Sequence, residues 1–281
     1  FYWNGSAIMR DSIRTETGDA LRSMLPYADP LTCQGRLTLA SGSPVPPADV
    51  SAAGTLYFSP YRGSQVSLYT PLGWRLRSFS EVSLSLSSLA NSTNYDVFLY
   101  DLDGALTLQA AAWTADTTRA AALSWQDGVP VQTGAPERRY LGTIRTSAAG
   151  QGEDSALRRF VWNFTNRRVR SLRVAEQADL WTYNVRTLRP FNNSTANRVE
   201  FVLGLLEDAV QLNFCAFAKA ASAANFGIGI GLDSITTDDP LVVKNAGGST
   251  TGDGLSAVYS GLPGQAGYHY LQLLEIAASA V

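Results

Sequence analysis

The sequence predicts an all-β protein: jelly-roll or β-sandwich blocks behind an N-terminal arm. Three observations carry this. Short runs alternate apolar residues with Ser, Thr or Asn, as in EVSLSLSSL. Gly, Pro, Asn and Asp punctuate the chain about every 8–12 residues, the spacing of turns in sandwiches and jelly rolls. Beyond residue 36 no segment holds helical periodicity. With 281 residues, 45% of them apolar, the chain can bury the core of one large β domain or of two ordinary ones.

Residues 1–36 differ from the rest. In SAIMRDSIRTETGDALRSML the apolar residues Ile8, Ile13, Leu21 and Leu25 fall near helical spacing, so this part is read as a helix or extended arm that docks on a neighbour. The chain opens on Phe1 and reads as a processed piece of a longer one. From Arg36 the pattern becomes β. RLTLAS alternates, Pro44, Pro46 and Pro47 mark a crossing, and TLYFSPY and SQVSLYT are strands on either side of an Arg62–Gly63 turn. PLG leads into Trp74–Arg77. NSTNYDVFLYDLDGALTLQAAAWT is a hairpin turning at Asp101-Leu102-Asp103-Gly104. A strand opened by Asp127-Gly128 closes a first block over 37–146.

The second block covers 147–281. SAAGQGEDS is a connector, ALRRFVWNFTN and RVRSLRVAE are expected to pair, and DLWTYNVRTLR alternates strongly. NRVEFVLGLLED and AVQLNFCAFAKA are long apolar runs, either buried on both faces or sealed in a subunit interface. NFGIGIGLDS places Gly227, Gly229 and Gly231 on one strand face, opposite Phe226, Ile228, Ile230 and Leu232. Such a glycine row requires a backbone or ring close against it. GYHYLQLLEIAAS is the last strand.

Charged residues make up 16% of the chain, against roughly 25% in ordinary soluble domains. A surface filled instead with Ser, Thr, Asn, Gln and Gly suits glycan contact or packing against other subunits. A net charge of −2 argues against nucleic-acid binding. All but two of the 22 basic residues are arginine, the exceptions being Lys219 and Lys244. Arginine tolerates partial desolvation and bonds carboxylates bidentately, which favours interfaces. The densest run is Arg145, Arg158, Arg159, Arg167, Arg168, Arg170, Arg173 and Arg186. Within RRFVWNFTN, alternation sets Arg159 opposite Phe160, Trp162 and Phe164.

No catalytic constellation is legible, and no cofactor or metal is expected. The glycine row lacks the spacing of a phosphate loop. The single histidine, His269, has no nucleophile elbow and reads as a surface or interface residue. Asp101 and Asp103 read as turn formers. Cys33 and Cys215 fit no metal-ligand spacing, and Cys215, inside NFCAFA, reads as a buried free thiol. Asn4, Asn91, Asn163, Asn192 and Asn193 head sequons of the kind an Asn-rich chain produces by chance. Most aromatics read as core. Tyr61, Tyr69 and above all Trp74, which follows Gly73 on a turn, are the sugar-stacking candidates. No apolar run is long enough to cross a bilayer.

Three segments, RLTLASGSPVPPADVSAAGTLYFSPYRGSQVSLYT, NYDVFLYDLDGALTLQAAAWT and RRYLGTIRTSAAGQGEDSALRRFVWNFTNRR, taken in this order and spacing, resemble a family of tailed-bacteriophage virion proteins found in tail-fibre, appendage or head-decoration genes. The resemblance covers roughly residues 36–205. It implies a β-rich, oligomeric structural protein on the particle exterior, some members of which contact the host surface, and it implies no catalytic residues. The expectations are a non-enzymatic virion subunit and a homo-oligomer, as a trimer. Residues 1–36 would dock on other virion proteins, and a host glycan is a further partner. Arg159, Arg168, Arg170, Phe226, Ile228 and Ile230 are the interface candidates, with Asp96, Asp101, Asp103, Glu153 and Asp154 as acidic partners across the subunit boundary. A carbohydrate-binding module and a polysaccharide depolymerase are the alternative readings.

Overall fold

Two long antiparallel strands, Asn94–Leu102 and Ala135–Ala148, organise an all-β chain. The computed structural model describes residues 28–220 and 225–277. Along Asn94–Leu102, Tyr95, Val97 and Leu99 enter one apolar core, while Phe98 enters a second core on the opposite side. Tyr140 and Leu141 divide the same way. Successive strand residues point to opposite faces, so a strand forming the wall between two cores must be apolar at almost every position.

The first core is closed by a small antiparallel sheet of Gly35–Thr38, Thr55–Pro60 and Val82–Ser85, and by the Gln65–Thr70 and Gly73–Ser78 hairpin. Leu37, Leu56, Phe58, Val66 and Leu68 fill it. The second core lies under Arg198–Leu203, Gly267–Ala277 and Phe226–Leu232, paired in that order. A separate sheet of Val210–Ala218, Asp253–Gly261 and Val243–Lys244 covers it. Val199, Phe201, Phe214, Ile230, Tyr259 and Leu271 meet there.

The predicted turns are where the chemistry put them. Leu102 pairs with Ala105 across Asp103-Gly104, and Gln126 pairs with Val129 across Asp127-Gly128. All four turn residues have positive φ, as tight two-residue hairpins demand. The glycine row also has its close neighbour. A Cβ on Gly231 would strike the Ser234 carbonyl and come within 2.8 Å of the Thr237 carbonyl, and one on Gly229 would strike the Asp238 carboxylate. The chain after Leu232 therefore folds back over that strand face.

Several expectations are corrected. Of the arm, residues 1–27 lie outside the described residues. Residues 28–36 belong to the body: Ala28 and Cys33 are buried, and Gly35–Thr38 is a strand of the first sheet. The expected boundary at 146/147 falls inside Ala135–Ala148. RVRSLRVAE and residues 179–188 form no strand. The reason is competition for sheet positions. Val161–Asn163 pairs with Ala135–Ala148, and Arg158–Arg159 pairs on both sides, with Gln151–Asp154 and in parallel with Arg198–Leu203, so the local hairpin does not form. Cys215 is exposed because Val210–Ala218 is covered on one face only. His269 is buried at 2% exposure, with Nδ1 2.7 Å from Asp233 Oδ2 and Nε2 2.9 Å from the Gln265 carbonyl. Asn163, whose sequon was read as a chance occurrence, lies in the Val161–Asn163 strand. Its buried side chain accepts from the Leu37 amide at 2.7 Å and donates to the Leu37 carbonyl.

Without a sheet partner, the chain from 165 to 188 is tied down by side chains and by isolated backbone bonds, such as the Arg173 amide to the Ala156 carbonyl at 2.7 Å. Glu176 accepts from the Ala178 amide at 2.9 Å and from Asn197 Nδ2 at 2.5 Å. The Ala178 amide, and after it the Asn197 and Asn192 side chains, lower the Glu176 carboxyl from 4.5 to about 2. Below 4.5 the unfolded chain takes a proton that the folded chain refuses, so this contribution is complete above 4.5 and lost as pH falls toward 2. Pepsin cleavage around Leu172 and Leu180 should accelerate over that window, and Glu176→Gln should cleave rapidly throughout it. A cleavage rate that is flat from pH 4.5 to 2, or unchanged by Glu176→Gln, would show that the carboxylate does not anchor the segment.

Candidate functional site

The residues singled out in the sequence separate into two groups once the chain is folded. Trp74 is fully buried, against Ala28 and Val129, and its indole N–H donates to Asp127 Oδ2 at 2.8 Å. Gly73, at φ +88°, turns the strand so that Trp74 faces inward. It offers no face to a sugar. Tyr69 packs edge-on against Trp74, with ring centres 5.5 Å apart, at the rim of a cleft of about 380 Å³ that also takes in Arg75, Arg77, Asp101 and Glu137. The charge there is partly cancelled by the Arg77–Asp101 ion pair. Ile228 and Ile230 are core residues at 2% and 0% exposure, and Phe226 is half-buried. The two isoleucines are removed from any subunit interface.

Tyr61, Arg159, Arg168 and Arg170, distant in sequence, come together at one patch. The stretch Gln34–Arg36 assembles it. The Tyr61 and Arg62 amides donate to the Gln34 carbonyl at 2.9 and 3.0 Å. Asn166, in the left-handed region that Asn tolerates, donates from its side chain to the Cys33 and Gly35 carbonyls at 2.8 and 2.9 Å. Its own carbonyl accepts from Arg36 Nη1 at 2.5 Å. The arginine run is thereby pinned beside the first sheet.

The geometry is that of guanidiniums sharing too few carboxylates. Asp154 gives one oxygen to Arg159 Nη1 at 3.2 Å and the other to Arg170 Nη2 at 3.3 Å. Arg62 and Arg168 lie over the Tyr61 ring, 5.9 and 5.7 Å from its centre, a cation–π placement that orients both head groups. Burial, and then the like charge of Arg170, lower the Arg36 guanidinium from its ordinary value. Burial raises the Asp154 carboxyl against the pull of Arg159 and Arg170. A small open cleft of about 210 Å³ runs between Pro46, Pro47 and Asp49 on one side and Arg159, Arg170 and Ser171 on the other.

Four of the five acidic partners expected across a subunit boundary are engaged within the chain. Asp96 holds Arg119, Asp101 holds Arg77, Glu153 holds Arg158, and Asp154 holds Arg159 and Arg170. Folding brings these acids to nearby guanidiniums without a second subunit. Arg36, Asp49 and Asn166 escaped the sequence reading as site residues. Arg36 is hidden in a regular strand, and Asn166 shows only as a turn former. No protein-family model matches this chain, and no curated protein or solved structure matches it either.

Proposed function

We propose that this protein is a structural subunit of a bacteriophage particle exterior, assembling with copies of itself, as the resemblance of residues 36–205 implies. One observation supports assembly above all others. The Val210–Ala218 strand is an edge of its sheet, nine residues long and without a single charge. Gln211, Asn213, Cys215 and Phe217 point to solvent along it. Phe217 is 73% exposed, and Val243 on the other edge of the same sheet is 75% exposed. Natural edge strands are usually blunted by Lys, Pro or a bulge, because open backbone groups template pairing with another chain. An uncharged edge beside exposed apolar side chains suits a surface that a neighbouring subunit covers.

Light scattering at micromolar concentration tests this. The expected mass is a multiple of 30.2 kDa, with a trimer as the expected multiple. Asn213→Lys with Phe217→Lys should bring it down to one subunit without loss of the β circular-dichroism signal. A monomeric mass for the unmodified protein would overturn the reading.

A further inference from the structure

The arginine patch differs electrostatically from the rest of the protein. Several guanidiniums elsewhere meet a carboxylate of their own at short range: Arg119 with Asp96 at 2.7 Å, Arg145 with Asp116 at 2.7 Å, Arg189 with Glu275 at 2.7 Å, and Arg167 with both Glu207 and Asp208. At the patch, five guanidiniums (Arg36, Arg62, Arg159, Arg168 and Arg170) face two carboxylates, Asp154 and Asp49. Asp49 is already turned to the Ala156 amide, which it accepts at 2.8 Å. The Asp154 contacts, at 3.2 and 3.3 Å, exceed the roughly 2.7–2.9 Å of a tight charge-assisted bond. One carboxylate is being stretched between two donors.

Donor capacity is also left over. Among the described residues Arg168 makes no hydrogen bond, and its guanidinium lies over the Tyr61 ring. Arg159 uses Nε on the Ser171 carbonyl and Nη1 on Asp154, leaving Nη2 unused. Arg170 makes two long contacts, to Asp154 and to the Pro46 carbonyl at 3.4 Å. The 210 Å³ cleft opens beside Arg159 and Arg170, which both line it. Excess positive charge, unspent planar donors and an open polar cleft together form a receptor for one small, multiply acceptor-bearing anion.

We propose that the cleft between the Pro46–Asp49 turn and Arg159, Arg170 and Ser171 binds a tetrahedral oxyanion, a sulfate or phosphate group, either free or esterified on a saccharide. Arg159 and Arg170 bond it from their side of the cleft. Arg168, held over Tyr61 and next in the chain to the lining residue Val169, adds positive charge beside the cleft. A tetrahedral anion supplies acceptors in more directions than the Asp154 carboxylate, so it can take both guanidiniums while Asp154 stays where it is. The inference stands whether or not the chain assembles into a particle.

The test is isothermal titration of the whole chain at about 0.15 M salt, where surface charge is screened beyond roughly 8 Å. The probes are inorganic sulfate, inorganic phosphate, a sulfated tetrasaccharide, its unsulfated counterpart and a short single-stranded DNA. Binding of sulfate or phosphate, or of the sulfated but not the unsulfated sugar, is the expected result. Uptake of the inorganic ions alone places the free anion in the site, while tighter uptake of the sulfated sugar places the ester there. Arg168→Ser, at an exposed position bonded to no carboxylate, should weaken binding about tenfold with no change in melting temperature. Arg170→Ser should weaken it further. If Arg170→Ser fails to fold, Arg168→Ser still decides the matter. No heat with any anion, binding unaltered in Arg168→Ser, or DNA bound more tightly than every other probe would overturn the proposal.

Discussion

Asp96→Ala is expected to remove about 3–5 kcal/mol of folding stability, the usual consequence of leaving a buried charge without its partner. Asp96 is 2% exposed, on the face of Asn94–Leu102 that looks into the second core. Its Oδ2 accepts from Arg119 Nε at 2.7 Å and its Oδ1 from the Thr143 hydroxyl at 2.7 Å, while Thr143 contacts the Tyr140 hydroxyl at 2.6 Å. Arg119 also lies 4.3 Å from the Trp113 ring centre and donates to the Gly204 carbonyl, so one carboxylate orders groups from four segments. Truncating it strands the Arg119 guanidinium among aromatic rings. Arg119→Met in the same background should restore a large part of the loss, because the uncompensated charge is then gone. Chemical denaturation of the four members of this cycle measures the effect. A loss below about 1 kcal/mol for Asp96→Ala, or additive losses in the double variant, would refute the arrangement.

Trp74→Ala should cost a comparable amount, about 3–5 kcal/mol, as large-to-small changes at fully buried aromatic sites do. Trp74 fills the space between Ala28, Val129 and the Tyr69 edge, and Arg139, itself buried, lies 5.8 Å from its ring centre. Arg139 donates to the Pro30 and Ser67 carbonyls at 2.6 and 2.9 Å. Removing the indole therefore opens a cavity beside a guanidinium that holds the start of the described chain in place. Trp74→Phe keeps most of the volume and loses the donation to Asp127, so its cost should be well under half as large. Equal stability of the Ala variant and the unmodified protein would return Trp74 to the surface and reopen its reading as a sugar platform.

The all-β class and the hairpin turns were legible because their signals are local. Asp103-Gly104 and Asp127-Gly128 can take positive φ cheaply wherever they occur, and the glycine row forbids side chains on its own face. The site was legible only in pieces. Tyr61 and the arginines 159, 168 and 170 were visible as residue types. Their convergence depends on Asn166 reaching back to Cys33 and Gly35, more than 120 positions away.

Alternation assigns a residue to a face but cannot say whether that face is covered. The sequence alone therefore determined period, turn positions and the places where only glycine fits. Tertiary structure decided that Asn94–Leu102 divides two cores and that Trp74 and His269 are interior. It also decided that 168–176, expected to pair with the preceding segment, finds its neighbours Val161–Asn163 and Arg158–Arg159 already paired. A strand needs a partner edge as well as a pattern, and the availability of an edge depends on chain segments far away in sequence. By the same reasoning most of the acids expected to bind a neighbouring subunit bind arginines of their own chain. Charge pairing follows distance in space, which the order of residues does not contain.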